Sequence, residues 1–302
     1  MARPAITKFD FLSLLRWLAC ASAPYLLASV PTLAEPASYT TVKSCAAALS
    51  TASTVRPHTA LGEFTIVSWN AMKFARSRAN DYLQELALSA DFVFLQESRQ
   101  ELMRTPAELG ESVAGPKLRR YFAVGYVSDD LISGVELRGS LAADVLCELR
   151  YLEPLLRTPK AVLVARIPFK KQTLLLINVH AINFTITTGA YREQLDSLAR
   201  LLEAHSGPAV VGGDLNTWNR WRTAALKAFA EKSGLEEVSF TPDYRSEHFG
   251  SKVDTFMVRD LRVKSSEAIP TEESDHHGIR ARLTRAPTAG SRAVIDSQAP
   301  ER

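Results

Sequence analysis

The residues in this sequence that can do chemistry fall at the ends of short apolar runs. Phe64-Thr-Ile-Val-Ser-Trp69 ends in Asn70, and Phe92-Val-Phe-Leu95 runs into Gln96-Glu97. Leu174-Leu-Leu-Ile-Asn-Val179 ends in His180, and Val210-Val-Gly-Gly213 ends in Asp214-Leu-Asn216. Val253 is followed by Asp254 and then Thr255-Phe-Met-Val258, while Ser274-Asp275-His276 stands just before Gly278-Ile-Arg-Ala-Arg-Leu283. Carboxylate and amide oxygens bind hard cations, imidazole exchanges protons near neutral pH, and side-chain amides donate to phosphoryl oxygens. Singly, each has a plain structural use: Asn70 in a turn, Asp214 as a helix cap, Glu97 at a loop, His180 and His276 as hydrogen-bonded histidines. Local capping explains one residue at a time. It does not explain a set in which cation ligand, proton carrier and orienting group are all represented.

The elements that must position them follow from periodicity. Short runs rich in Val, Ile, Leu and Phe predict strands at Phe64–Trp69, Phe92–Gln96, Ala161–Ile167, Leu174–Val179, Ala209–Gly212, Val253–Val258 and Gly278–Leu283. Helices are predicted over Asn80–Ser89, Tyr191–His205 and Trp218–Lys232. In the second, Leu195, Leu198 and Leu202 share one face; in the third, Trp218, Trp221, Ala225 and Phe229 are read the same way. There is no internal repeat and no glycine-rich phosphate loop.

The chain has 302 residues, 46% hydrophobic and 23% charged, enough for one packed domain once the ends are set aside. A net charge of +3 is too small to argue for nucleic acid by itself. Residues 1–34 read as an export signal: Arg3, Lys8 and Arg16 precede the apolar stretch Trp17–Val30, and Thr32-Leu33-Ala34 offers a cleavage site. The expected location is periplasmic or secreted, with an uncleaved membrane anchor as the alternative. Residues 35–60, rich in Ala, Ser and Thr, read as a linker or loose lead-in, and 286–302 as a disordered tail. Cys45 and Cys147 remain after the signal, and parity leaves a disulfide and two buried thiols both open.

Trp69-Asn70, Gln96-Glu97, Asn178-Val-His180, Gly213-Asp214-Leu-Asn216, Asp254 and Ser274-Asp275-His276, in that order, resemble the endonuclease/exonuclease/phosphatase superfamily, and the resemblance runs from Phe64 to Leu283. His180-Ala-Ile-Asn-Phe184, Asp214-Leu-Asn-Thr-Trp218 and Phe249-Gly250 are similar to an uncharacterised bacterial branch of it. The resemblance implies a four-layer α/β sandwich of two packed, mostly antiparallel sheets flanked by helices, occupying residues 61–285. It also implies a hydrolase of phosphate esters. Phosphodiesters resist attack because anionic oxygens repel hydroxide, and a hard divalent cation neutralises that charge. Mg2+ suits a site of few carboxylates, with Mn2+ as a substitute, and the lack of Cys or clustered His ligands argues against zinc. Glu97 is the first candidate ligand, with Asn70 and Asp275 beside it. His276 is the candidate base, and the resemblance implies that Asp254 orients it, as the carboxylate of a hydrolytic triad orients its histidine. Asp214 is a second group for aligning water or moving a proton. Asn216, His180 and Arg220 are expected to face substrate phosphate.

Other residues carry weaker expectations. His277 should point away from the site, the charge of His205 should complement a helix C-terminus, and Asn183 should support His180. The segment Ser98–Arg120 mixes Arg99, Arg104, Lys117, Arg119 and Arg120 with Glu101, Glu108 and Glu111, so no nucleic-acid groove is evident. The expected activity is an exported Mg2+-dependent phosphodiesterase, a nuclease by preference, acting as a monomer without an obligate protein partner. The alternatives are a phosphatase or lipid phosphodiesterase on the same core, and a non-catalytic phosphate-ligand binding protein.

Overall fold

Alternating apolar strands can bury both faces only when helices or a second sheet cover them, and here both do. The computed structural model describes residues 36–53, 62–100, 118–128, 131–169, 172–185 and 187–286. The expected export signal and nearly all of the expected tail lie outside the described residues. The elements run β1 (Ala37–Tyr39), α1 (Val42–Leu49), β2 (Glu63–Asn70), a 3-10 turn (Met72–Phe74), α2 (Ala79–Leu88), β3 (Phe92–Gln100), β4 (Arg119–Ser128), β5 (Leu131–Gly139), β6 (Val145–Leu152) and β7 (Pro159–Phe169). They continue with β8 (Gln172–His180), α3 (Gly189–Glu203), β9 (Ala209–Asp214), α4 (Arg220–Ser233), β10 (Glu236–Glu237), β11 (Glu247–His248), β12 (Ser251–Lys252), β13 (Asp254–Arg259), β14 (Leu261–Ile269) and β15 (Gly278–Arg285).

Two large sheets result, ordered β1-β6-β7-β8-β9-β13-β10 and β14-β15-β2-β3-β5-β4. Most neighbours are antiparallel, but β2 pairs with β3 and β8 with β9 in parallel. Parallel pairing requires a crossover, which α2 and α3 supply. One apolar layer lies between the sheets, where Phe64, Phe94, Leu163, Leu176 and Phe256 meet. A second joins α1, α3 and α4 to the first sheet through Leu49, Leu198, Phe229 and Val164, and a third joins α2 to the second sheet through Leu83, Leu86 and Trp69. Helices, sheet, sheet and helix make the four layers expected.

Two expectations are corrected and one open question is settled. Within the expected lead-in, residues 36–53 carry regular structure: β1 pairs in parallel with β6, and α1 is N-capped by Thr41, whose hydroxyl accepts the Ser44 N–H. A disulfide between Cys45 and Cys147 fastens α1 to β6, which resolves the open cysteine question. Helix α4 begins two residues later than expected and buries Arg222, Ala225, Leu226 and Phe229, while Trp221 stays 58% exposed. The reason is Arg222, whose guanidinium is satisfied by the carbonyls of Ile182, Asn216 and Asn183 and so turns that face inward.

Candidate active site

Register builds the site. His180 stands opposite Asp214 across β8 and β9, and Asp214 stands opposite Asp254 across β9 and β13, so three polar groups form a row on one sheet. On the other sheet Asn70 pairs with Gln96. The β14–β15 loop is fastened to β2 within that sheet, the Trp69 indole donating to the His276 carbonyl at 3.1 Å and the Ser274 hydroxyl to the Asn70 carbonyl at 2.7 Å, and Asn70 Nδ2 reaches across to Asp214 on the first sheet at 3.1 Å. Deeper in, Gln96 Nε2 donates to Asn178 Oδ1 at 2.6 Å, tying the sheets together behind the site. Gly213, at φ 127°, passes so close to Val179 and Gln96 that a Cβ would collide with both.

Two site residues adopt left-handed backbone conformations, uncommon for a glutamate and readily taken by an asparagine. Glu97 has φ 48° at a bulge where β3 shifts register against β5, and Asn216 has φ 50°. The 3-10 turn after Asn70 is left-handed throughout, with φ between 43° and 56° at Met72, Lys73 and Phe74. It brings the Lys73 ammonium to 2.8 Å from Glu97 Oε2.

The side chains form one linked cluster. His276 Nδ1 donates to Asp254 Oδ2 at 2.8 Å, and its Nε2 lies 3.9 Å from Asp214 Oδ2. The same Asp214 oxygen accepts from Asn70 Nδ2 at 3.1 Å and lies 3.6 Å from His180 Nε2, which is 3.9 Å from Glu97 Oε1. Asp214 Oδ1 accepts the Asn216 N–H at 3.0 Å. Burial alone would depress the His276 imidazole, but the charges of Asp254 and Asp214 outweigh it and push it up to about 10. Burial, reinforced by Asp254, raises the Asp214 carboxyl. His180 is held well below its ordinary range by burial and then by Lys160.

The structure thus brings His276, Asp254, Asp214, His180, Asn70 and Glu97 together. Asn216 is present by its backbone; its side-chain amide donates to the Ala181 carbonyl. Asp275 lies on the His276 side, where ligand atoms of His248, Asp275 and His276 come within 4.8 Å of one another. Arg220 is exposed with its guanidinium 4.6 Å above the Trp221 ring. The Asn183 side chain meets Trp218 Nε1 at 2.7 Å, so it supports Trp218 instead of His180. His277 is half-buried and accepts the Thr271 N–H. His205 is buried and held down to about 4, chiefly by desolvation, so it carries no charge for the helix end at neutral pH.

Lys160 was not legible beforehand. Its ammonium lies 2.7 Å from His180 Nε2, and because an ammonium only donates, that nitrogen accepts and the ring proton resides on Nδ1. Lys73, Glu97, Lys160 and His180 line a cleft of about 250 Å³ that continues past Tyr126 and Phe184. The donor set fits a hard divalent cation. Glu97 and Asp214 offer carboxylate oxygens and Asn70 an amide oxygen around His180, Asp275 stands on the other side with His248 and His276, and the Lys73 ammonium already balances Glu97 with positive charge. Cys45 and Cys147 are joined in the disulfide, so neither offers a free thiolate to a metal.

A family model described as the Endonuclease/Exonuclease/phosphatase family matches residues 67–276. A UPF0294 protein of Erwinia tasmaniensis is 35% identical over 215 residues, 71% of this chain and 78% of that protein. A UPF0294 protein of Photorhabdus laumondii is 34% identical over 222 residues, 73% of this chain and 84% of that protein. Among solved structures, an endonuclease/exonuclease/phosphatase from Beutenbergia cavernae superposes with a TM-score of 0.55 at 14% identity, covering 74% of this chain and 72% of that one. That likeness is one of fold.

Proposed function

Because the chain belongs to the endonuclease/exonuclease/phosphatase family, we propose that it is an exported, Mg2+-dependent phosphodiesterase whose substrate is nucleic acid. The observation that carries this reading is the linked cluster of Asp254, His276, Asp214, Asn70, His180 and Glu97 at one rim. Glu97, Asn70 and Asp275 are the residues that would hold the cation, which when bound neutralises phosphoryl charge and stabilises the leaving oxygen.

The remaining roles follow from the side chains. Asp214 is buried, raised in pKa and not matched by a guanidinium, so it is the better acceptor for the proton of attacking water. The charges of Asp254 and Asp214 favour the protonated form of His276, which would let it donate to a phosphoryl oxygen while Asp214 takes the proton of water. Asp254 fixes the imidazole by its bond to Nδ1. Lys160 supplies positive charge that the neutral His180 lacks, while His180 fixes the position of that ammonium. Export is supported by the Cys45–Cys147 disulfide, which persists in oxidising compartments.

The test is hydrolysis of bis-p-nitrophenyl phosphate by the purified protein with Mg2+ or Mn2+. Turnover should stop on chelation and return when metal is restored. Turnover indifferent to chelation removes the cation from the reading, and turnover of a monoester alone would make the protein a phosphatase.

A further inference from the structure

The hairpin between β11 and β12 breaks a local rule. Glu247 pairs with Lys252 and His248 with Ser251, leaving Phe249-Gly250 as a two-residue turn. Both turn residues have positive φ, 51° at Phe249 and 77° at Gly250. Turns of this type favour Asn-Gly or Gly-Gly, because a side chain at the first position is strained by roughly 1–2 kcal/mol. A phenylalanine there is also left 91% exposed, so neither backbone preference nor burial explains it.

The ring's surroundings do. It lies 5.9 Å from the Trp218 ring, and the next residue back, His248, places its ring 5.2 Å from that of His276. Trp218 is fixed in place: its indole donates to Asn183 Oδ1, and the Arg222 guanidinium sits 5.0 Å from its ring. The hairpin therefore carries an exposed aromatic ring close to His276, packed on a hydrogen-bonded indole. Phe249 meets Trp218 edge to face, at 61° between the ring planes, which leaves the Phe249 ring open to solvent, and an exposed aromatic face can stack a flat ligand such as a nucleobase. An acyl chain would instead call for a continuous aliphatic groove, whereas the neighbouring residues Asp243, Arg245, Glu247 and Lys252 are an ion-paired polar set.

We propose that Phe249, with Trp218 and His248, forms a shelf that stacks the nucleobase adjoining the scissile phosphate, making Phe249 a determinant of selectivity for nucleic acid over base-free phosphodiesters. The proposal rests on the phosphodiesterase reading above and names its substrate class.

The experiment compares a short single-stranded oligonucleotide with an oligomer of the same sugar-phosphate backbone lacking bases, both with Mg2+. Wild type, Phe249→Asn and Phe249→Trp are measured for kcat and KM. Asn suits the turn, so Phe249→Asn should fold with an unchanged or higher Tm. The ratio of kcat/KM for base-bearing over base-free substrate should fall about tenfold in Phe249→Asn, mainly through KM, and be kept in Phe249→Trp. An unchanged ratio in Phe249→Asn, or an equal loss in Phe249→Trp, overturns the shelf while leaving phosphodiesterase activity standing. If wild type hydrolyses bis-p-nitrophenyl phosphate but neither oligomer, or cuts only sphingomyelin vesicles, the nucleic-acid assignment fails and the shelf with it.

Discussion

Glu136 and Asp214 are both buried carboxylates of the same sandwich, and their surroundings treat them oppositely. Glu136 accepts from Arg120 at 2.7 and 3.0 Å, from Arg138 at 2.6 Å and from the Ser98 hydroxyl at 2.6 Å. Burial alone would raise its pKa, but the two guanidinium groups overcome that and hold it at about 2. Asp214 has amide donors and two imidazoles at 3.6 and 3.9 Å but no guanidinium, and its pKa is raised. A fully matched buried charge is a fixture of the scaffold, whereas an undermatched one retains affinity for a proton or a ligand. Difference in compensation, more than burial, separates structure from chemistry here.

The comparison breaks if the two residues respond alike to loss of charge. Asp214→Asn should lower phosphodiester turnover by about a hundredfold or more, with stability held or slightly increased because the charge it removes is undermatched. Turnover and urea unfolding measured on one preparation decide it, and near-normal turnover would return Asp214 to the scaffold. Glu136→Gln should do the reverse, costing about 3 kcal/mol or more in unfolding free energy because it strands two guanidinium groups, while the folded fraction keeps its turnover. A Glu136→Gln protein as stable as wild type would show that the cluster contributes little.

A smaller effect sharpens the same contrast through pH. Glu136, at about 2 when folded against an ordinary 4.5, contributes stability that is complete above 4.5 and lost as pH falls toward 2. His205, at about 4 when folded against an ordinary 6.5, is buried neutral, so the unfolded chain takes the proton first and stability falls as pH drops from 6.5 toward 4. His180 is depressed too and acts in the same direction. Melts between pH 7 and 5 should therefore be less acid-sensitive in His205→Gln than in wild type. Equal slopes would remove His205 from the acid response.

Much of the site was legible because strand ends announce themselves: an apolar run that stops at Asn70, Glu97, His180 or Asp214 marks where a sheet reaches solvent. What stayed hidden depends on contacts between distant segments. Lys160 opens an ordinary apolar run, and only the β7–β8 pairing sets its ammonium against His180. Glu136 lies outside every predicted strand, and only its contacts with Arg120, Arg138 and Ser98 set it apart. Strands β4, β6 and β14 were missed because their mixed sequences, such as Leu261-Arg-Val-Lys-Ser-Ser-Glu267, carry little period-two signal. The α4 face was misjudged because periodicity favours tryptophan over arginine for burial, and nothing local reveals that three carbonyls await Arg222.

The parallel pairs β2–β3 and β8–β9 have a consequence for how such a protein can change. Their crossovers run outside the sandwich, so Asn70, His180 and Asp214 stand at strand ends held by the ladders. The β11–β12 turn, beside His276, and the Glu153–Thr158 connection, which lines the cleft with His180, are loops outside those ladders. Exchanging either by grafting would alter which molecules reach the centre without re-engineering the centre itself, so one catalytic chassis can be retargeted turn by turn.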